Sequence, residues 1–157
     1  MIPAWRIDKA GRTKAAAFSG EGSRLVAGRW HSRGRAVVYA ASSLSLAALE
    51  KFVHLGEDGD RIRFVSYEVR IPKAVRVVEW RLADMPSDWR AQPAPASTQK
   101  MGDRWLADHK SAVLILPSVI TPSESNVLLN PAHPQFGQIG VFGPRAYSFD
   151  PRMWNKS

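Results

Sequence analysis

A turn, a strand and a helix follow one another within Gly28–Glu50, and we expect the rest of the chain to be organised around this succession. The apolar run 36–40 is short and β-branched, which predicts a buried strand. From Leu44 onward, apolar residues recur at helical spacing over a surface too broad for a solvated helix. Ser42 or Ser43 precedes that run and can cap it. The stretch therefore predicts a strand followed by a largely buried helix.

Glu50 lies within the apolar surface of this helix, one turn after Leu46 and one turn before Val53. Burying a carboxylate costs free energy unless a cation or a hydrogen-bond donor meets it. Two interpretations follow: Glu50 points to solvent beside Lys51, or it serves a functional site. The position of Glu50 alone does not choose between them.

The turn before the strand carries Arg29 between glycines, whose missing side chains let the backbone come close to a bound anion. Arg29 supplies a planar fork for phosphate or carboxylate, and Tyr39 at the end of the apolar run offers a flat ring with a polar tip. Glu50 supplies a carboxylate for sugar hydroxyls or for a developing cation. Together these three residue types suit a nucleotide with a cleavable sugar bond.

Four spaced motifs then resemble one known family, the RES domain, which is named for an Arg, a Glu and a Ser. These motifs are Gly28–Gly34, Val37–Ala40, Ser45–Glu50 and Leu116–Val119. The family's three residues match Arg29, Glu50 and Ser118. The likeness extends over nearly the whole chain, through Trp5–Ile7, Phe18–Gly22, Asn126–Pro131 and Phe149–Arg152. One departure is His31, where the family would have Asn or Asp, and it affects a local turn contact rather than the chemistry.

The resemblance implies a fold, an activity and a partner. RES proteins are toxins of bacterial toxin–antitoxin pairs, are similar in fold to ADP-ribosyltransferases and consume NAD. We therefore expect an α+β protein with a mixed or antiparallel β core and flanking short helices. The implied partner is a helix-turn-helix antitoxin of the Xre type that covers the active cleft, with nucleic acid reached only through that antitoxin.

On this resemblance, the expected reaction is cleavage of the nicotinamide–ribose bond of NAD through an oxocarbenium-like state. Glu50 is expected to bind the ribose hydroxyl and to offset the developing charge, and Arg29 to hold the diphosphate. Tyr39, Ser118 and Arg6 are the further candidates for NAD binding. Water, phosphate or a protein side chain could accept the ADP-ribose, and we place depletion of NAD ahead of protein modification.

Ser118 and Arg6 each have a second interpretation. As a nucleophile, Ser118 would need a base and a sharp elbow with flanking glycines, which its surroundings lack. We therefore favour a hydroxyl at a strand end that bonds the nucleotide or orients Arg29 or Glu50. Arg6 lies in a first strand over 1–10, either as a second arginine at NAD or as a solvated strand residue.

The bulk properties narrow the class of protein. The 157 residues suffice for one domain, so 1–157 is predicted to be a single domain. A hydrophobic share of 45% and a charged share of 23% are typical of soluble globular proteins. The chain has no cysteine and no apolar run of signal or membrane length, which favours the cytoplasm. The net charge of +8 favours an anionic partner without identifying it.

Two rival functions remain open. Positive charge and six tryptophans would suit a basic RNA-binding or RNA-cleaving module, although the tryptophans are dispersed through predicted core elements. A catalytically inert interaction protein that uses the pocket to hold a partner is the other. The four histidines are scattered without metal-ligand spacing, so no metal is expected.

Elsewhere the patterns predict further elements with less chemistry in them. These are a helical turn at 15–18, strands at 64–71, 75–78 and 112–116, a helix at 98–109 capped by Ser97 or Thr98, and last strands at 141–142 and 147–149. The segment 85–99 is predicted to be an irregular surface excursion. Asn126 and Asn130 are expected to satisfy loop backbone as Asx turns.

Overall fold

Seven strands form one mixed sheet in the computed structural model, which describes residues 1–155. The strands are β1 (Ile2–Lys9), β2 (Val38–Ala41), β3 (Phe64–Ile71), β4 (Val77–Glu79), β5 (Val113–Pro117), β6 (Ser125–Leu129) and β7 (Gly140–Tyr147). The α-helices are α1 (Lys14–Ala17), α2 (Glu21–Leu25), α3 (Leu44–Phe52) and α4 (Ala96–Asp108). Short 3-10 helices cover Glu57–Arg61, Leu82–Asp84, Phe136–Gln138 and Pro151–Met153.

The strand order is β4-β5-β6-β2-β1-β3-β7, so the short strand β2 lies at the centre of the sheet. The β4–β5 pair is parallel, and the other neighbouring strands pair antiparallel. This arrangement confirms the predicted α+β class with a mixed β core and short flanking helices.

Alternation along the strands sends side chains into different core clusters. Along β3, Tyr67, Val69 and Ile71 are buried together, as the sequence predicted. Along β1, Ile7 packs instead with the cluster around α3. A third cluster, around Trp105 of α4, covers the β5–β6 part of the sheet. The sheet therefore carries one helix-covered core under α3 and another under α4.

Helix α3 begins as predicted, because the Ser43 side chain accepts a hydrogen bond from the Leu46 main-chain N–H at 3.0 Å. Leu46 is fully buried against the sheet. The apolar face is narrower than the sequence predicted, since Leu49 and Val53 are 38% and 58% exposed. Glu50 therefore lies at the border between the buried and the exposed side of the helix.

Three predictions about secondary structure were wrong. Helix α4 begins at Ala96 rather than 98, and its N-cap is Pro95, while the Ser97 hydroxyl donates to Asp88. Asn126 lies in strand β6 rather than in an Asx turn, because the apolar run after it completes the sheet between β5 and β2.

The third error concerns the chain end. Instead of two short strands at 141–142 and 147–149, one strand, β7 (Gly140–Tyr147), lies on the outer edge of the sheet, and residues 148–149 follow its end. Gly143 and Pro144 interrupt the sequence pattern there, and the ladder to β3 accommodates them with a register shift opposite Ser66–Glu68.

No helix within residues 1–155 is long and apolar enough to cross a membrane.

Candidate functional site

The Glu50 carboxylate is held by two side chains from distant parts of the sequence. Its Oε1 atom accepts a hydrogen bond from the Ser118 hydroxyl at 2.9 Å and another from the Asn126 amide at 2.9 Å. Within residues 1–155, Oε2 accepts no hydrogen bond, so its lone pairs are available to a ligand. Two donors on the same oxygen fix the orientation of the carboxylate. Glu50 is thus anchored and half-buried rather than free in solvent beside Lys51, while its role in a functional site stays a prediction.

Ser118 follows the end of β5 and is fully buried. Besides donating to Glu50, its hydroxyl oxygen accepts hydrogen bonds from the main-chain N–H groups of Ile120 and Thr121, at 3.0 and 3.2 Å. These two bonds orient the hydroxyl hydrogen toward Glu50. The geometry suits a residue that positions the carboxylate, and it leaves no exposed hydroxyl to act as a nucleophile.

Arg29 is fixed through one end of its guanidinium. Nη1 donates to the main-chain carbonyls of Trp89 and Ala91, at 2.9 and 2.8 Å, in the segment predicted to be an irregular surface excursion. Within the described part of the chain, Nε and Nη2 donate no hydrogen bond. That remaining edge presents two parallel N–H groups, the geometry that binds phosphate or carboxylate bidentately.

The charges of Arg29 and Glu50 attract each other, although the two side chains form no ion pair within residues 1–155. Burial lowers the pKa of Arg29, and the negative charge of Glu50 acts in the opposite direction. An anion holder and a carboxylate are therefore close enough to interact through space while both keep hydrogen-bonding capacity for a ligand.

Tyr39 projects from the central strand with its hydroxyl turned inward. The hydroxyl is 2.6 Å from Nδ1 of His31, and it accepts a bond from the Trp30 main-chain N–H at 3.3 Å. Burial raises the pKa of Tyr39, and the negative charges of Asp103 and Glu50 add to that effect. The phenol is thus held neutral, and its hydroxyl is hydrogen-bonded within the protein. Its half-buried ring lies beside the turn Gly28–Gly34, called here the arginine turn.

Helix α4 fixes the turn that carries Arg29. The Ser32 N–H and hydroxyl both bond to the Asp103 carboxylate, and the Gln99 amide donates to the Gly28 carbonyl at 3.0 Å. Gly102 lies directly against the Trp30 carbonyl, where a Cβ atom would overlap it. The helix therefore approaches the turn backbone to backbone, which only glycine allows.

Arg6 is tied to main-chain groups rather than left open. Its Nε donates to the Ala17 carbonyl and its Nη1 to the Tyr39 carbonyl, both at 2.9 Å. Burial lowers the pKa of Arg6, while Asp8 opposes that shift. Arg6 reaches the site only through the backbone of Tyr39 in the described residues. It is therefore not a solvated strand arginine, and its role at NAD stays a prediction.

The structure thus gathers Arg29, Tyr39, Glu50 and Ser118 around one place, and sets Arg6 beneath the central strand. The sequence reasoning missed two members of the surroundings, Asn126 and His31. Asn126 was missed because the sequence pattern did not predict strand β6. The sequence marked His31 only as a departure from the family motif. Residues 1–155 contain no group of three or more acidic or histidine side chains that could hold a metal ion.

The RES domain family model matches residues 3–150. The chain is 39% identical over 157 residues to the Prs ADP-ribosylating toxin of Sphingobium sp. (strain YBL2), covering 98% of this chain and 97% of the relative. It is 36% identical over 143 residues to the Toxin Res of Yersinia enterocolitica, covering 90% of this chain and 93% of the relative. The chain therefore belongs to the RES domain family, as its motifs indicated. Both of these relatives are named as toxins.

The fold is also found in a solved structure. A chain of the crystal structure of the M. tuberculosis MbcT-MbcA toxin-antitoxin complex superimposes with a TM-score of 0.72, covering 97% of this chain and 86% of that chain. The identity is 16%, so this likeness concerns the fold alone.

Proposed function

We propose that the protein cleaves the bond between nicotinamide and ribose in NAD. The observation that carries the proposal is the anchored Glu50 carboxylate, with Oε2 unused in residues 1–155, facing Arg29. Breaking that glycosidic bond develops positive charge on the ribose, and a preorganised carboxylate stabilises it. Membership of the RES domain family supports the same substrate.

Each side chain then has a distinct task. Glu50 binds a ribose hydroxyl. It also offsets the positive charge that develops on the ribose as the electron pair of the broken bond leaves with nicotinamide. Arg29 holds the diphosphate through its Nε and Nη2 edge, and the Tyr39 ring lines the nicotinamide end. Ser118 orients Glu50 from behind. Arg6 contributes indirectly, by fixing the main-chain carbonyl of Tyr39.

Purified protein incubated with NAD, with free nicotinamide followed over time, tests the proposal. In Glu50→Gln we expect kcat to fall by about 100- to 1000-fold with little change in KM, because the charge matters mainly in the transition state. Glu57→Gln is the matched control, since Glu57 is an exposed glutamate in the next turn of the chain and should leave turnover unchanged. Full NAD consumption by Glu50→Gln would contradict the assignment.

Transfer of ADP-ribose to a protein is the second candidate, and the Sphingobium relative favours it because its name describes an ADP-ribosylating toxin. Both routes share the same bond cleavage and differ in the acceptor oxygen or nitrogen that attacks the ribose. Mass analysis of products made with and without phosphate and with cell extract distinguishes them. ADP-ribose or its phosphate indicates depletion, whereas a protein gaining one ADP-ribosyl group indicates modification.

We also propose a cytoplasmic location and a helix-turn-helix antitoxin partner of the Xre type that covers the site. The fold shared with a chain of a toxin–antitoxin complex supports an antitoxin in general. The purified complex should release no nicotinamide, and the freed toxin should release it. Steep salt-dependent binding to random RNA without NAD turnover would instead favour the rival RNA-binding function.

A further inference from the structure

His31 is buried at 2% exposure beside the proposed NAD site, and both of its ring nitrogens are engaged. We propose that His31 is a positioning residue that fixes the Tyr39 hydroxyl, and with it the turn that carries Arg29. The proposal rests on the proposed function, since Tyr39 and Arg29 are the groups it places for NAD. Because the ring has no exposed nitrogen, a role as catalytic base is excluded.

The hydrogen bonds determine which nitrogen carries the proton. Nε2 lies between the main-chain carbonyls of Ser23 and Val26, at 2.8 and 2.9 Å, and carbonyls only accept hydrogen bonds. Nε2 is therefore the protonated nitrogen of the neutral ring, and Nδ1 has a lone pair. Nδ1 therefore accepts a hydrogen bond from the Tyr39 hydroxyl, whose oxygen is 2.6 Å away. The Tyr39 oxygen in turn accepts the Trp30 N–H, which completes a directed chain.

This chain joins the central strand to the turn on both sides of Arg29. The Gly28 N–H bonds to the His31 carbonyl at 3.1 Å, so the turn closes on itself around Arg29 and Trp30. A Cβ atom at Gly28 would lie 2.7 Å from Cε1 of His31, so the ring packs directly against the backbone of the turn. A shift of the imidazole would therefore displace both Tyr39 and the Arg29 backbone.

Two substitutions separate the two halves of the His31 contact. In His31→Asn the amide oxygen takes the place of Nδ1 and can accept from Tyr39, whereas the contact to Ser23 and Val26 is lost. In His31→Gln the amide nitrogen takes the place of Nε2 and keeps the carbonyls, whereas Tyr39 loses its acceptor. If His31 positions Tyr39, His31→Asn should keep the activity and His31→Gln should lose it. If His31 only attaches α2 to the turn, the opposite result is expected.

We expect His31→Asn to keep kcat/KM for nicotinamide release within about threefold of wild type while its melting temperature falls, since one neutral hydrogen bond contributes modestly. We expect the melting temperature of His31→Gln to fall as well, because the Tyr39 hydroxyl loses its acceptor. Its kcat/KM should fall by about 10- to 100-fold, the usual result of a small misplacement of reacting groups. In a Tyr39→Phe background the difference between the two variants should vanish. Activity of His31→Gln equal to or above that of His31→Asn overturns the proposal.

NAD affinity, measured by calorimetry on the same proteins, should follow the same order and does not require turnover. Failure of wild type to release nicotinamide refutes the proposed function. The order of the affinities and the nitrogen-15 shifts of the His31 ring, with Nδ1 unprotonated, then decide the positioning role separately. A protonated Nδ1 in the folded protein at neutral pH would overturn it.

Discussion

Ser118 is the residue whose hydroxyl serves both the fold and the site. It donates to Glu50 and accepts from two main-chain N–H groups in the β5–β6 connection. In Ser118→Ala we expect the free energy of unfolding to fall by about 1–3 kcal/mol, because two half-buried N–H groups lose their acceptor and Glu50 loses a donor. We also expect kcat to fall, since Asn126 alone then holds Glu50.

Urea denaturation and nicotinamide release measure the two effects of Ser118→Ala. Ser123→Ala is the control, because Ser123 is an exposed serine in the same connection and should change neither quantity. If Ser118→Ala kept wild-type turnover, Glu50 would not depend on this hydroxyl.

Tyr39 gives a pH dependence at the same scale. Burial raises its pKa above the ordinary value of 10.0, so above that pH the unfolded chain loses a proton that the folded protein keeps. The contribution of Tyr39 to the free energy of unfolding is therefore fully present below pH 10.0. It decreases as the pH rises above that value, by at most about 1.36 kcal/mol per pH unit. Between pH 9 and pH 11 the unfolding free energy of Tyr39→Phe should fall less steeply than that of wild type. The difference between the two slopes should approach about 1.36 kcal/mol per pH unit. Equal declines would show that Tyr39 ionises freely.

Helix α4 and the arginine turn form one unit at the scale of secondary-structure elements. They meet at Gly102, where a Cβ atom would overlap the Trp30 carbonyl. We expect Gly102→Ala to separate the helix from the turn, to destabilise the protein by about 1–3 kcal/mol and to raise KM for NAD, because Arg29 is carried by that turn.

Gly22→Ala is the matched control for Gly102→Ala. Gly22 is also a helical glycine, and a Cβ atom there would meet nothing within 4 Å. Thermal unfolding should show it to be neutral or stabilising, since alanine favours helix. Similar effects of the two substitutions would mean that the contact of α4 with the turn does not matter.

The whole molecule is interleaved across its sheet. Strands β1 to β3 come from the first half of the chain, yet they lie between β6 on one side and β7 on the other. No cut through the sequence divides such a sheet into two independent parts, which supports the proposal of one domain over 1–157. The clusters under α3 and α4 both include a residue of β2, Ala41 in the first and Tyr39 beside the second.

We therefore expect one cooperative unfolding transition. Tryptophan fluorescence reports on six tryptophans, including Trp30 and Trp105 in the cluster under α4 and Trp5 and Trp154 beside the cluster under α3. Its transition in urea should coincide with that of the far-ultraviolet circular dichroism of the whole sheet. Separate midpoints for the two signals would reveal a second folding unit and would contradict the single-domain proposal.

Much of the local structure could be predicted from the sequence, because it depends on neighbours along the chain. The Ser43 cap, the burial of Leu46 and the alternation of β3 follow from short-range periodicity and from one side chain bonding its own helix. The candidate site residues Arg29, Tyr39 and Glu50 were chosen by their chemistry within one continuous stretch and by the family motifs. Their roles toward NAD remain predictions.

Only the tertiary structure decided what holds those residues. The donors to Glu50 lie 68 and 76 residues away along the chain, and the carbonyls that fix Arg29 lie 60 and 62 residues away. Such contacts arise from strand order and register, which no local pattern in a single sequence encodes. Asn126 acquired its partner in this way, whereas the partners of His31 lie only 5 to 8 residues from it. The sequence by itself determined which side chains can do the chemistry, and the packing of β2, β5, β6 and α4 determined where they meet.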